Sequence, residues 1–179
     1  MNHRLFFAIW PNQNSVKQIR DVFKHYPWPM HAKPVADVDL HITLSFLGHA
    51  TRQQYQDLLP IIKEISSEPF DISFDQLVYW SKPDLLLLEA SEIPKALQDL
   101  VKNLHRALRR QQWKLETREF KPHITLARHF PAPITQAALQ LGELKQPVNV
   151  HVEEFCLADG ALRMLGQAKH YCILKRFKI

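Results

Sequence analysis

Two copies of one tetrapeptide, His41-Ile42-Thr43-Leu44 and His123-Ile124-Thr125-Leu126, stand 82 positions apart in a chain of 179 residues. In a strand, side chains alternate between faces, so each histidine shares a face with its threonine while the isoleucine and leucine turn the other way. Each copy thus presents one imidazole and one hydroxyl, about 6.6 Å apart at the Cα level for two residues of strand rise. An unperturbed imidazole titrates near neutral pH, so a pair of them can remove one proton while supplying another. Hydrolysis of a cyclic phosphodiester needs such a pair. Water loses a proton as it attacks phosphorus, and the departing ribose oxygen gains one on the far side. The non-bridging oxygens gain negative charge meanwhile, and hydroxyls such as those of Thr43 and Thr125 can donate hydrogen bonds to them.

A lone histidine in an apolar strand is more often a hydrogen-bonded core residue, and a lone threonine there reflects strand propensity. Two copies with identical flanks are harder to dismiss. A metal site is the other chemical option. Against it, neither histidine has a Glu-x-x-His or cysteine partner pattern, and threonine is a poor ligand for the zinc-like ions that histidine favours.

The elements that must hold these groups can be read from pattern. Arg4 to Trp10 is apolar, aromatic and ended by Pro11, which suits a buried strand. Val16, Ile19, Val22 and Phe23 give a helical stripe. Three prolines between Tyr26 and Pro34 make that stretch a loop. Leu40 to Leu47 reads as a strand closed by Gly48, and Thr51 to Ser66 as a helix with Tyr55, Leu58, Leu59 and Ile62 on one side. Asp71 to Trp80 and Asp84 to Ala90 form two strands about a Ser81-Lys82-Pro83 turn. A long helix follows Pro94, with Leu97, Leu100, Val101, Leu104 and Leu108 as its buried stripe. Pro122 introduces the second histidine strand, Pro131 and Pro133 end it, and a short helix is expected over Gln136 to Leu141. Val148 to Ala158 and Lys169 to Phe177 supply the last strands, with a turn near Asp159-Gly160. Each half of the chain thus offers strands, helices and one His-Ile-Thr-Leu strand, the pattern of a duplicated α/β unit.

At this length, with 46% hydrophobic residues, one domain over 1–179 is expected. No run of 18 apolar residues and no signal-peptide pattern is present, so the expectation is a soluble, cytoplasmic protein. Cys156 and Cys172 lie in separate apolar segments and read as buried free thiols. Twenty-three Lys and Arg against 18 Asp and Glu give a net charge of +5, a surface that attracts anions such as nucleic acid. The densest group, Lys102, Arg106, Arg109, Arg110 and Lys114, also fits the wet face of a helix.

Three segments carry a resemblance: Arg4 to Ile9, Leu40 to Gly48 with its His-Ile-Thr-Leu-Ser-Phe, and Phe120 to Arg128. They resemble the two-histidine phosphoesterase superfamily, and within it the RNA 2',3'-cyclic phosphodiesterases, also called 2'-5' RNA ligases. The resemblance implies an α+β fold in which two lobes, each with one His-x-Thr motif, set antiparallel sheets across a central cleft with helices outside. It implies no metal and no cofactor, an RNA bearing a 2',3'-cyclic phosphate end as the partner, and no obligate protein partner, the chain acting as a monomer. It implies that His41 donates a proton to the leaving oxygen and that His123 accepts one from water, giving a 2'-phosphate. The reverse reaction would join a cyclic end to a 5'-hydroxyl. The two motifs are locally identical, so residue chemistry alone leaves those roles open.

Other candidates follow from position. Arg128 lies five residues after His123, which in a regular strand turns it to the opposite face; it reaches a phosphate only if the strand bends or ends. Arg118 occupies a place where relatives often carry a basic residue, but Glu116 and Glu119 beside it also suit a plain surface charge. Phe46 is expected on the face of His41 and Thr43, stacking on a base or walling the cleft. Phe7 is a further candidate with core packing as its alternative, and Trp28 and His31 could rim the site. The run Leu85 to Ala90 departs from the family by lacking the Trp and Gly often found there. Two other functions stay open: action on small cyclic nucleotides or 2'-5' oligonucleotides, and a non-catalytic nucleotide- or RNA-binding module. Paired acid and base groups argue against the module.

Overall fold

The computed structural model describes residues 3–24, 29–130, 141–160 and 171–179. Among them are nine strands: β1 (His3–Ile9), β2 (Lys33–Pro34), β3 (Ile42–Ala50), β4 (Phe70–Trp80), β5 (Leu85–Glu89), β6 (His123–Arg128), β7 (Gly142–Val152), β8 (Glu154–Asp159) and β9 (Cys172–Lys178). Three helices accompany them: α1 (Gln13–Phe23), α2 (Arg52–Ile62) and α3 (Lys95–Arg110). The expected helix over Gln136 to Leu141 and the stop at Pro131 and Pro133 fall outside or at the edge of the described residues.

Local chemistry explains where the helices begin. Thr51 opens α2 with a capping box, its side chain accepting from the Gln54 amide while the Gln54 side chain accepts from the Thr51 amide. Asn12 caps α1 by accepting from the Ser15 amide at 2.9 Å, and the Ser15 hydroxyl donates at 2.7 Å to the Asn149 carbonyl, tying α1 to β7. The Leu97, Leu100, Val101, Leu104 and Leu108 stripe of α3 is fully covered, as its spacing requires.

All pairings are antiparallel, in the order β7-β4-β5-β6-β3-β1-β8-β9, with β2 added to β6. The mixed α/β class expected from sequence therefore holds, but the cleft is floored by one connected sheet rather than two separate ones. Its two halves meet at β3 and β6, and the paired residues there are Ile42 and Ile124. These spatial halves do not follow the chain's midpoint: β1, β3, β8 and β9 come from the two ends of the sequence, and β4 to β7 from its middle. The stretch Val148 to Ala158, expected as one strand, is two. Its first part belongs to β7, which begins six residues earlier at Gly142 and runs along a sheet edge, where the missing N–H of Pro147 is tolerated. Beyond Glu153 the chain enters the other half as β8, beside β1.

One core cluster joins residues of every helix to one face of the sheet, including Ile42, Leu44, Ile124 and Leu126. The opposite face carries a smaller cluster of Phe6, Ala8 and Ala158, with Trp10 and Tyr171 against it. The helices thus cover one side and leave the other open for a site. Cys156 is buried, which pushes its thiol up to about 11, and Cys172 is partly exposed; neither is in a disulfide.

Candidate active site

The pairing of Ile42 with Ile124 decides how the two tetrapeptides meet. Continued by one residue each way, an antiparallel register sets His41 across from Thr125 and Thr43 across from His123. Two His-x-Thr units are thereby related by a local two-fold axis through the isoleucine pair. His41, Thr43, His123 and Thr125 all line a cleft of about 610 Å³ on the open face.

The likeness extends past the tetrapeptides. In β3, Thr43 faces Ala8 and Ser45 faces Phe7, so Leu44 is the extra residue of a bulge. In β6, Thr125 faces Leu87 and Ala127 faces Leu86, which makes Leu126 the extra residue there. The fourth residue of each tetrapeptide is thus a bulge that resets the alternation. Strict alternation would send Phe46 and Arg128, each five residues after its histidine, to the core side, so the place beside His41 and Thr43 expected for Phe46 is reached through the bulge and not through alternation. Both are instead exposed, and both line the cleft.

Each histidine is held in the same way. The His41 Nδ1 lies 2.6 Å from the Asp39 carbonyl, and the His123 Nδ1 lies 2.9 Å from the Lys121 carbonyl, in each case two residues back. A carbonyl only accepts, so Nδ1 carries the proton and donates it, and Nε2 is the nitrogen left for chemistry.

The surroundings break the symmetry. The His41 ring is stacked with Trp10 at 5.3 Å and meets Phe6 at 5.4 Å and the edge of Tyr171 at 4.9 Å. Although part of the ring stays open to the cleft, these walls strip water from it. Burial pushes the His41 imidazole down to about 4; the Asp39 carbonyl opposes this, and the positive charge of Arg128 and the second histidine reinforce it. His123 instead sits 4.8 Å from the ring of Trp80, whose Nε1 donates to Glu89 Oε1 at 2.7 Å. Glu89 is itself the direct cross-strand partner of His123.

Arg128 donates to the Tyr171 hydroxyl at 3.3 Å, bridging the two halves over the floor. Arg118 lines the cleft and is paired with Glu116, with Nε to Oε1 at 2.9 Å. Phe7 is entirely buried in the core; its neighbour Phe6 is the one on the cleft side. His31 is exposed and is not part of the cleft lining, and Trp28 lies outside the described residues. Sequence reasoning missed Trp10, Trp80, Lys82, Glu89 and Tyr171. Only the Phe6, Ala8, Trp10 alternation could have hinted at them, and β1 is apolar on both faces. Among the described residues, no group of three or more His, Cys, Asp or Glu is placed to hold a metal ion.

A model of the 2'-5' RNA ligase superfamily matches residues 10–161. The chain belongs to that superfamily. The RNA 2',3'-cyclic phosphodiesterase of Escherichia coli (strain K12) is 31% identical over 133 residues, covering 74% of this chain and 75% of the relative. The enzyme of the same name from Bacillus subtilis (strain 168) is 36% identical over 110 residues, 59% of this chain and 60% of its own. The crystal structure of Escherichia coli LigT complexed with 3'-AMP superposes with a TM-score of 0.84 at 28% identity, covering 100% of this chain and 99% of that one. This superfamily member therefore shares the fold over its whole length.

Proposed function

We propose that the protein is a metal-independent RNA 2',3'-cyclic phosphodiesterase that hydrolyses cyclic phosphate ends to 2'-phosphates. The single observation carrying this reading is the two-fold arrangement about Ile42 and Ile124, which brings one imidazole and one hydroxyl from each half to the floor of one cleft. The names of the relatives point the same way. A phosphate centred there would have an acid–base group on each flank, with Thr43 and Thr125 as donors to its non-bridging oxygens. Arg128 supplies a fixed positive charge.

In this reading His123, through Nε2, takes the proton of the attacking water. His41 gives a proton to the departing 3' oxygen. An acid must be charged when it acts, and burial holds the His41 imidazole down to about 4 in the free protein. The phosphodiester's negative charge offsets the repulsion from Arg128 and His123, so substrate itself raises the proton affinity of His41. The short hydrogen bond to the Asp39 carbonyl favours the charged ring further. Both histidines belong to one chain, so a monomer is sufficient for this chemistry. No helix among the described residues is long and apolar enough to cross a membrane.

The test is incubation with a cyclic-phosphate-ended RNA, and with 2',3'-cyclic AMP, in EDTA. A 2'-phosphate product at an undiminished rate is expected. Activity that vanishes on chelation would remove the metal-free mechanism, and no turnover of either substrate would overturn the reading.

A further inference from the structure

The carbonyls that hold the two histidines belong to very different segments. Lys121, which faces His123 Nδ1, lies in a stretch, 113–122, with no helix or strand. Asp39, which faces His41 Nδ1, is buried and ends a single turn of 3₁₀ helix, Asp37–Asp39, fastened by three other elements. From β1, Trp10 Nε1 donates to the Val38 carbonyl at 3.1 Å. From the far side, the Val35 amide donates at 2.8 Å to the carbonyl of Leu126, the bulge residue of β6. From α1, Arg20 Nη2 donates to the Val35 carbonyl at 2.7 Å while its Nε donates to the Asp37 carboxylate. Trp10 also walls the His41 ring, and Val35 continues the pairing of β2 with β6. Arg20 has no such second task. It lines no part of the cleft, and the charges that act on His41 are those of Arg128, His123 and Asp39, with the Tyr171 ring as the other titratable neighbour. A basic residue in the last turn of α1 suits the helix dipole, but the donors of this one are turned to Val35 and Asp37.

We infer that Arg20 is a positioning residue for the reaction: by clamping the turn from Val35 to Asp39 it fixes the Asp39 carbonyl, and through that carbonyl the proton on His41 Nδ1 and the aim of Nε2 into the cleft. Its effect on catalysis rests on the proposed acid–base chemistry. Which imidazole nitrogen carries the proton is set by the partner of the other, so a carbonyl that cannot retreat keeps Nε2 as the reacting atom. An acid also transfers its proton only along an aligned path, and an offset of about 1 Å can cost roughly 10²-fold in rate. The guanidinium suits the task because its planar fork holds two acceptors in one fixed geometry, which a lysine ammonium does not.

The experiment reads the ring nitrogens of His41 and His123 by NMR at mildly alkaline pH, together with kcat and KM for 2',3'-cyclic AMP, in the full-length wild type, Arg20→Ala, Arg20→Lys and Asp37→Asn. Both wild-type rings are expected to carry their proton on Nδ1. Arg20→Ala should spread the His41 proton over both nitrogens and leave His123 as it was. It should also lower kcat by roughly 10- to 100-fold with KM near normal. Arg20→Lys, which keeps one donor to the turn, should recover part of both. Asp37→Asn, which keeps the bond to Val35, should show smaller changes in the same direction, and decides the matter if Arg20→Ala does not fold. A normal kcat with the His41 proton still on Nδ1 overturns the role, even if the variants are less stable. A change that reaches both histidines alike also overturns it, since that is general loosening. A wild type inactive on the cyclic nucleotide would instead overturn the proposed activity, and the His41 ring would still report whether Arg20 holds it.

Discussion

Phe46 and Arg128 occupy equivalent places, each five residues beyond a cleft histidine, and each reaches the cleft because the leucine two positions before it, Leu44 or Leu126, bulges out of its strand. One copy of the motif therefore ends in an aromatic ring and the other in a guanidinium. Near-identical backbones carry chemically opposite tips, so the two sides of a locally symmetric cleft differ in chemistry.

Replacing His41 or His123 with alanine should reduce kcat by at least about 10²- to 10⁴-fold, the range for one general acid–base group. Steady-state rates on a cyclic-phosphate-ended RNA check this, and normal turnover in both variants would refute the acid–base pair.

The pH dependence follows from the lowered His41. Because kcat/KM reports the free protein, one limb of its profile should fall near pH 4. Since bound phosphate favours the charged ring, the corresponding limb of kcat should lie higher. Arg128 helps to depress His41, so Arg128→Gln should move the kcat/KM limb upward. A limb that ignores the loss of Arg128 would show that the guanidinium does not act on His41.

Thr43→Val and Thr125→Val keep strand propensity and shape while deleting the hydroxyl. Each should lower kcat by roughly 10- to 150-fold, corresponding to about 1.5–3 kcal/mol for a hydrogen bond to a charged group. Unchanged kinetics would reduce both threonines to scaffold.

Leu104 is fully buried in the α3 stripe beneath the sheet. Leu104→Ala should destabilise the protein by about 2–5 kcal/mol through lost burial and a residual cavity, read as a lower midpoint in urea. Kinetic constants should stay near normal wherever the variant is folded, because no α3 leucine reaches the cleft.

Much was legible in the linear chain because it depends on near neighbours. The period of the Leu97 to Leu108 stripe specified α3 and its buried side, and Thr51 with Gln54 specified the start of α2. The Val148 to Ala158 stretch was misread because the buried Val148, Val150 and Val152 of β7 run straight on into the apolar Phe155 to Ala158 of β8, and only a change of partner separates them at Glu153. Phe7 and Phe6 could not be sorted for a related reason: β1 is covered on both faces, so its composition does not say which side is core.

The repeated tetrapeptide by itself determined the chemistry available here, two imidazoles and two hydroxyls on the same side of their strands, since side-chain alternation is a property of the backbone alone. Tertiary structure decided the rest. Only the pairing of Ile42 with Ile124 makes the two units one site, and only the bulges at Leu44 and Leu126 turn Phe46 and Arg128 toward it. Only the rings packed round His41, and the Trp80 and Glu89 pair beside His123, make two identical motifs unequal. Strand register and bulge placement are set by partners far away in the sequence, so no local pattern could have announced them.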